Sequence, residues 1–232
     1  MSTSKTALPK YVQIAEMLIR EIAAGRLADG ARLPTERAMA QDFGIAVGTL
    51  RKALDDLERR NLLKRVQGSG NYVQYRPDAA GIYALFRLEL IEGGGLPTAE
   101  ILTVDRVPMP DGIWNDEPTS HRIRRLRRLS DKPAAVEEIW LSGRWAESLS
   151  QDELSESLYL FYRKQLGLWI STVEDRVGVG TVPDWCPEEF PLATGQVAGY
   201  VERRGHTADG EIAEFSRTWF DSDNVRYVSR LR

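Results

Sequence analysis

Thr49, Arg51 and Lys52 fall within one turn of a predicted helix, and their side chains are hydrogen-bond donors of the kind that reach phosphate oxygens and base edges. Arg51 is placed to read a base edge, where a bidentate pair with guanine supplies about 1–3 kcal/mol of discrimination. A glycine-bearing segment, QGSG at 67–70, follows Lys64 and Arg65. Gly68 and Gly70 would let backbone N–H groups approach a phosphate closely, and Gln67 stands at the same tip. A second set is acidic. Glu137 and Glu214 are carboxylates on otherwise apolar predicted strands, and a basic run contains Arg125, Arg127 and Arg128. Buried carboxylates need partners, and any of these arginines could pair with Glu137 or with an anionic ligand. If the two glutamates faced each other about a substrate, they could instead serve as general acid and base.

The first set requires a particular framework. Tyr11, Ile14, Leu18 and Ile22 predict a helix over about 10–24, ended by Gly25. Thr35 is the expected N-cap of a second helix running to Asp42, with Glu36 in its favourable first turn. Gly44 breaks that helix, and a third runs from about Ala46 to Arg60, burying Leu50, Ala53, Leu54 and Leu57 and exposing Gly48, Thr49, Arg51, Lys52 and Asp55. LLKRV, QGSG and NYVQY then read as a β-hairpin. Tyr11, Ile14, Leu18, Leu33, Met39, Phe43, Leu50, Leu54 and Leu57 are the expected shared core.

Composition divides the chain. Thirteen Lys and Arg against eight Asp and Glu through Arg76 leave the first part basic, whereas the remainder has eighteen against twenty-six. That split suits a nucleic-acid-facing part joined to an acidic part with another task, meeting near Pro77 in the turn-rich RPDAAG. One cysteine and two histidines exclude a disulfide framework and a Cys/His zinc cluster, so no cofactor or metal is expected. The absence of a signal-like or membrane-length apolar run makes a cytoplasmic protein without membrane contact the expectation.

The second part reads as mainly antiparallel strands: IYALFRLELIEGG, LPTAEILTVDRVPM, then HRIRRLRRLS turning at Asp131 and Lys132 into PAAVEEIWLSG, and later LWISTVEDRVGVG, QVAGYVERRGHTADG and EIAEFSRTWF. A surface loop is expected at 110–119 and a helix at about 156–165, ended by Gly167. All six tryptophans lie here, with Trp140, Trp169 and Trp219 expected in strands. The overall expectation is an α+β chain: a winged helix-turn-helix domain at 1–76 and a mainly antiparallel β-sheet domain with a few helices at 77–232.

YVQIAEMLIREIAAG, the LPTER that opens the second helix, TLRKAL and the QGSGNYV wing resemble the N-terminal winged helix of the GntR family of bacterial transcription regulators. RRLRRLSDKPAAVEEIWL, ESLYLFYRKQLGLWI and DGEIAEFSRTWFD, in that order, resemble the UTRA effector domain of its HutC group. The resemblance implies DNA contacts at Arg37, Thr49, Arg51, Gly68 and Gly70, with Arg37 reaching either a phosphate or a groove. It also implies a pocket using Glu137 and Glu214, with Ser216 and Tyr159 as companions. Ala46 and Val47 stand where the family commonly has Ser or Thr followed by Arg. Asp221 and Asn224 replace two arginines of the usual closing run, so a neutral, cationic or singly charged effector is expected rather than a sugar phosphate.

These features together imply a metabolite-responsive repressor that binds a palindromic double-stranded DNA operator as a homodimer and is released by a small-molecule effector. Two alternatives stand beside it. One is a ligand-independent regulator with a vestigial pocket, and the other is an enzyme fused to a DNA-binding domain, although no Ser–His–Asp arrangement, HExxH or phosphate-cradling glycine loop is present.

Overall fold

Helix α1 (Lys10–Ala23) buries Ile14, Leu18, Ile19 and Ile22 at three- and four-residue spacing. In this computed structural model, which describes residues 8–75, 83, 85–108, 112–113 and 119–230, the chain divides into two compact units whose main spans are Leu8–Arg87 and Pro97–Val228. The boundary expected near Pro77 lies outside the described residues.

In the first unit, Thr35 caps α2 (Glu36–Asp42) by accepting the Ala38 N–H at 3.3 Å. Gly44, at φ 60°, turns the chain into α3 (Val47–Arg59). All three helices begin and end within one residue of their expected limits. Strands β1 (Leu63–Val66) and β2 (Gly70–Val73) form the hairpin with Val66 opposite Gly70. Residues 30–33 line its outer edge, the Leu33 N–H donating to the Asn71 carbonyl at 2.8 Å and the Val73 N–H to that of Ala31 at 2.9 Å. One core holds these elements together. It contains Ile14, Leu18, Leu33, Met39, Leu50, Leu54 and Leu57, with Tyr11 and Phe43 partly buried at its margin and Leu62, Leu63 and Val73 added from the hairpin. Glu16 is fully buried in this unit and meets Arg60 at 2.9 Å.

The second unit is built on a six-stranded antiparallel sheet. A short β3 (Leu88–Leu90) precedes it, followed by β4 (Pro97–Pro108), β5 (Thr119–Leu129), β6 (Lys132–Ser142), β7 (Thr172–Thr181), β8 (Val197–His206) and β9 (Ile212–Phe220). Their order in the sheet is β4-β5-β6-β9-β8-β7. On one face, Leu126, Val136, Ala198 and Trp219 pack against Val182, Trp185 and Phe190. A short α4 (Leu158–Phe161) and a π-helical turn (Tyr162–Leu166) supply Tyr159 and Tyr162 to the other face, and Gly167 stops them at φ 65°.

Several expectations change here. Of IYALFRLELIEGG only Leu88–Leu90 is strand; Tyr83 and Leu85 lie in turns, and Ile82 and Ala84 fall outside the described residues. The strand stops where its hydrogen-bonding partner stops, because it pairs only with β10 (Val225–Tyr227), which the sequence reading did not contain. The β5–β6 turn is Ser130–Asp131, one residue earlier than expected, with both residues at positive φ as a type I′ hairpin turn requires. Trp169 precedes β7 instead of lying in a strand. It is 54% exposed, with the Arg163 guanidinium 5.4 Å from its ring centre. Most of the loop expected at 110–119 lies outside the described residues.

Candidate nucleic-acid interface and effector cluster

The exposed side of α3 carries Arg51 and Lys52, with Thr49 half-buried beside them. Val47, where the pattern of related chains would put arginine, packs partly into the core instead, and Ala46 gives α3 no side-chain cap. At the wing, Gly68 takes φ 74° and Gly70 φ 129°, and the Ser69 N–H closes the tip onto the Val66 carbonyl at 2.9 Å. A groove of about 790 Å³ is lined by Arg32, Thr35, Glu36, Arg65, Gln67 and the wing glycines, among others. Arg37 is exposed on α2 but does not line that groove.

Two residues that the sequence did not mark as part of this surface, Arg32 and Glu36, belong to it. Arg32 lies beneath Gly70, where a Cβ would come within 3.0 Å of its Nε; its place between two turns concealed it. Glu36 accepts from Arg51 Nε at 2.7 Å, and this bond and charge raise the Arg51 pKa. Arg65 is drawn onto α3 by Asp55 at 2.6 Å and donates to the Arg51 carbonyl at 3.4 Å.

In the second unit the structure brings Arg125, Arg127, Glu137, Tyr159, Glu214 and Ser216 to one face of the sheet. Arg125 meets Glu137 Oε2 at 2.6 Å and Arg127 meets the same oxygen at 3.1 Å; Arg125 also donates to the Glu156 carbonyl at 3.3 Å. Burial alone would raise the Glu137 pKa, but the two guanidiniums overcome it and hold the carboxyl below the usual range. Glu214 behaves oppositely. It is 3% exposed, burial outweighs its hydroxyl and arginine neighbours, and its pKa is raised. Tyr159 donates to Glu214 Oε1 at 2.9 Å, while Oε2 and the neighbouring Tyr162 hydroxyl are buried without a well-formed hydrogen bond.

Arg128 does not join them. It projects from the other face of the sheet, pairing with Glu189 and, at 3.5 Å, with Glu100. Strand alternation sets Arg128 apart from Arg125 and Arg127, and an extra residue in β6, Ala134, decides which set meets Glu137. Arg203 and Asp175, missed from sequence, add a pair with two contacts of 2.6 Å; Tyr227 donates to Asp175 at 2.6 Å. Their positions on polar strands resembled exposed charges, and only strand pairing brought them beside Ser216. Asp221 and Asn224 face each other, Asn224 donating to Asp221 at 2.6 Å in the turn that leads to β10. Among the described residues, no group of three or more His, Cys, Asp or Glu could hold a metal ion, and no helix is long and apolar enough to cross a membrane.

Residues 10–73 match the model of bacterial regulatory proteins of the gntR family, and residues 93–226 match the UTRA domain. The chain is 56% identical to the HTH-type transcriptional regulator SmoD of Agrobacterium fabrum, covering 97% of each sequence. It is 29% identical to the mannosyl-D-glycerate transport/metabolism system repressor MngR of Escherichia coli, covering 95% of each. The crystal structure of the possible transcriptional regulator YydK from Bacillus subtilis shares its fold, with a TM-score of 0.54 at 21% identity over 97% of this chain and 100% of that one. With a winged helix followed by a UTRA domain, the chain belongs to the GntR family of bacterial transcriptional regulators.

Proposed function

We propose that this regulator is a cytoplasmic, dimeric repressor that binds a palindromic DNA operator and lets go when a small hydrophilic metabolite occupies the cluster around Glu137 and Glu214. The observation that carries the sensing role is Glu214, a buried carboxylate that takes the Tyr159 hydroxyl on Oε1 and has the Tyr162 hydroxyl beside it, yet whose Oε2 lacks a well-formed hydrogen bond. An incompletely hydrogen-bonded buried carboxylate oxygen is costly, and a ligand hydroxyl donating to it would recover part of that cost. With Ser216 and two tyrosine hydroxyls on the same face, the cluster suits a polyhydroxylated molecule.

Arg125 and Arg127 are already engaged by Glu137, and Arg203 by Asp175. That internal pairing favours a ligand of at most one net charge over a phosphate ester. The same pairing speaks against the enzymatic alternative, since Glu137 is not free to serve as a base. Arg37, Thr49, Arg51, Gln67, Gly68 and Gly70 are the proposed DNA contacts.

The test is a duplex enriched from a random library by the full chain, followed by fluorescence anisotropy while sugars, sugar acids and their phosphate esters are added. Release by a non-phosphorylated compound, abolished by Glu214→Ala, supports the proposal. Release only by phosphate esters would overturn the ligand class, and enrichment of no sequence would overturn the DNA-binding role.

A further inference from the structure

The Arg51 guanidinium is held at a defined point. Its Nε donates to Glu36 Oε2 at 2.7 Å, although the arginine side chain is 63% exposed and has room to swing elsewhere. On its own helix the acid one turn away at the i+4 position is Asp55, and that carboxylate is engaged by Arg65 at 2.6 Å. The backbone that carries Glu36 is set, because α2 begins at the Thr35 cap and its first turn lies in the wall of the groove beside the wing. A carboxylate that grips Nε leaves the two Nη groups at the outer end of the guanidinium. Those are the atoms that can form parallel bonds to the O6 and N7 of a guanine.

We propose that Glu36 is a positioning residue for DNA recognition, holding Arg51 in the one orientation that reads a base and thereby setting sequence discrimination instead of overall affinity. This rests on the reading of Arg51 as a DNA contact. Two opposite effects on binding follow. An arginine released from Glu36 can swing to any nearby phosphate, which adds sequence-independent attraction. The carboxylate itself repels the DNA backbone, so it lowers affinity for every sequence while it sharpens the choice among them.

The experiment compares full-length wild type, Glu36→Gln, Arg51→Ala and the double variant on two duplexes. One is enriched from a random library by the wild-type chain, and the other is its shuffled counterpart. For Glu36→Gln the ratio of the two dissociation constants is expected to fall about 5- to 10-fold, part of the discrimination that a bidentate pair provides. The shuffled duplex should bind more tightly, with a steeper salt dependence by about one phosphate contact. In the Arg51→Ala background Glu36→Gln should leave the ratio within about 2-fold, because a positioning residue has nothing left to position.

An unchanged ratio for Glu36→Gln, or an equal loss in both Arg51 backgrounds, would overturn the proposal. Parallel weakening on both duplexes would mark a merely structural role and overturn it as well. If the wild-type chain enriches no sequence, the DNA-binding reading falls first and this proposal with it.

Discussion

Arg125 on β5 and Glu137 on β6 stand directly opposite each other and meet at 2.6 Å, with only 4% and 7% of the two residues exposed. Arg127 closes on the same carboxylate oxygen from two residues further along the strand. A buried ion pair of this kind contributes little net stability, but removing one partner leaves charge stranded in a low-dielectric interior. Glu137→Ala is therefore expected to destabilise the chain by about 3–5 kcal/mol, read as a lowered urea midpoint. Glu137→Gln, which keeps the hydrogen-bond acceptor, should cost less.

The two glutamates of the cluster respond to acid in opposite senses. Glu137 has a depressed folded-state pKa, so its contribution is present above the unfolded value of about 4.3 and is lost as pH falls through the folded value. Glu214 has a raised folded-state pKa, so its contribution is present below about 4.3 and is lost as pH rises through the folded value. Glu214→Gln imitates the protonated form. Its stability relative to wild type should therefore be higher at about pH 7 than at about pH 4, measured by denaturant titration at each pH.

Arg51→Ala should weaken binding to the preferred duplex by about 1–3 kcal/mol while changing binding to a shuffled duplex less. Anisotropy titrations on the two duplexes separate these effects. Equal losses on both would place Arg51 on a phosphate instead of a base.

Gly68→Ala tests the wing by itself. At φ 74° the position is left-handed, yet an added Cβ meets nothing within 4 Å, so strain alone sets the cost. About 1–2 kcal/mol is expected, together with weaker DNA binding, because the tip would have to re-form.

Gly199 on β8 makes room for the Phe220 ring, whose Cζ would lie 2.3 Å from an added Cβ. Phe220 is itself buried, so the ring cannot swing clear without disturbing the core. Gly199→Ala should cost about 1–3 kcal/mol, seen as a lower melting temperature.

Much of the first unit was legible because its information is local. Leu50, Leu54 and Leu57 recur with the helix period, Thr35 and Gly44 mark a start and a break, and the glycines at 68 and 70 announce a tight hairpin. What escaped was pairing across elements. Glu36 and Arg51 are fifteen residues apart, and nothing in either neighbourhood indicates that they bond. The buried Glu16 sits among the apolar positions of α1, and its partner Arg60 comes from beyond the end of α3. In the closing segment, Asp221 and Asn224 read only as the loss of two arginines, and their hydrogen bond to each other in a turn is visible only once β10 is seen paired with β3.

The sequence by itself determined the order of most elements and the winged helix with its exposed Arg51, and it pointed to Glu137 and Glu214 but not to Asp175 or Arg203. Only the tertiary structure decided which arginines those carboxylates meet. With a two-residue turn at Ser130–Asp131 and no irregularity, Glu137 would stand opposite Arg124 and share a face with Arg128. Ala134 bulges out of the ladder between Pro133 and Ala135, shifts β6 by one residue and brings Glu137 opposite Arg125. Because side chains alternate between faces along a strand, that one residue decides whether Glu137 is buried with Arg125 and Arg127 or lies on the other face with Arg124 and Arg128.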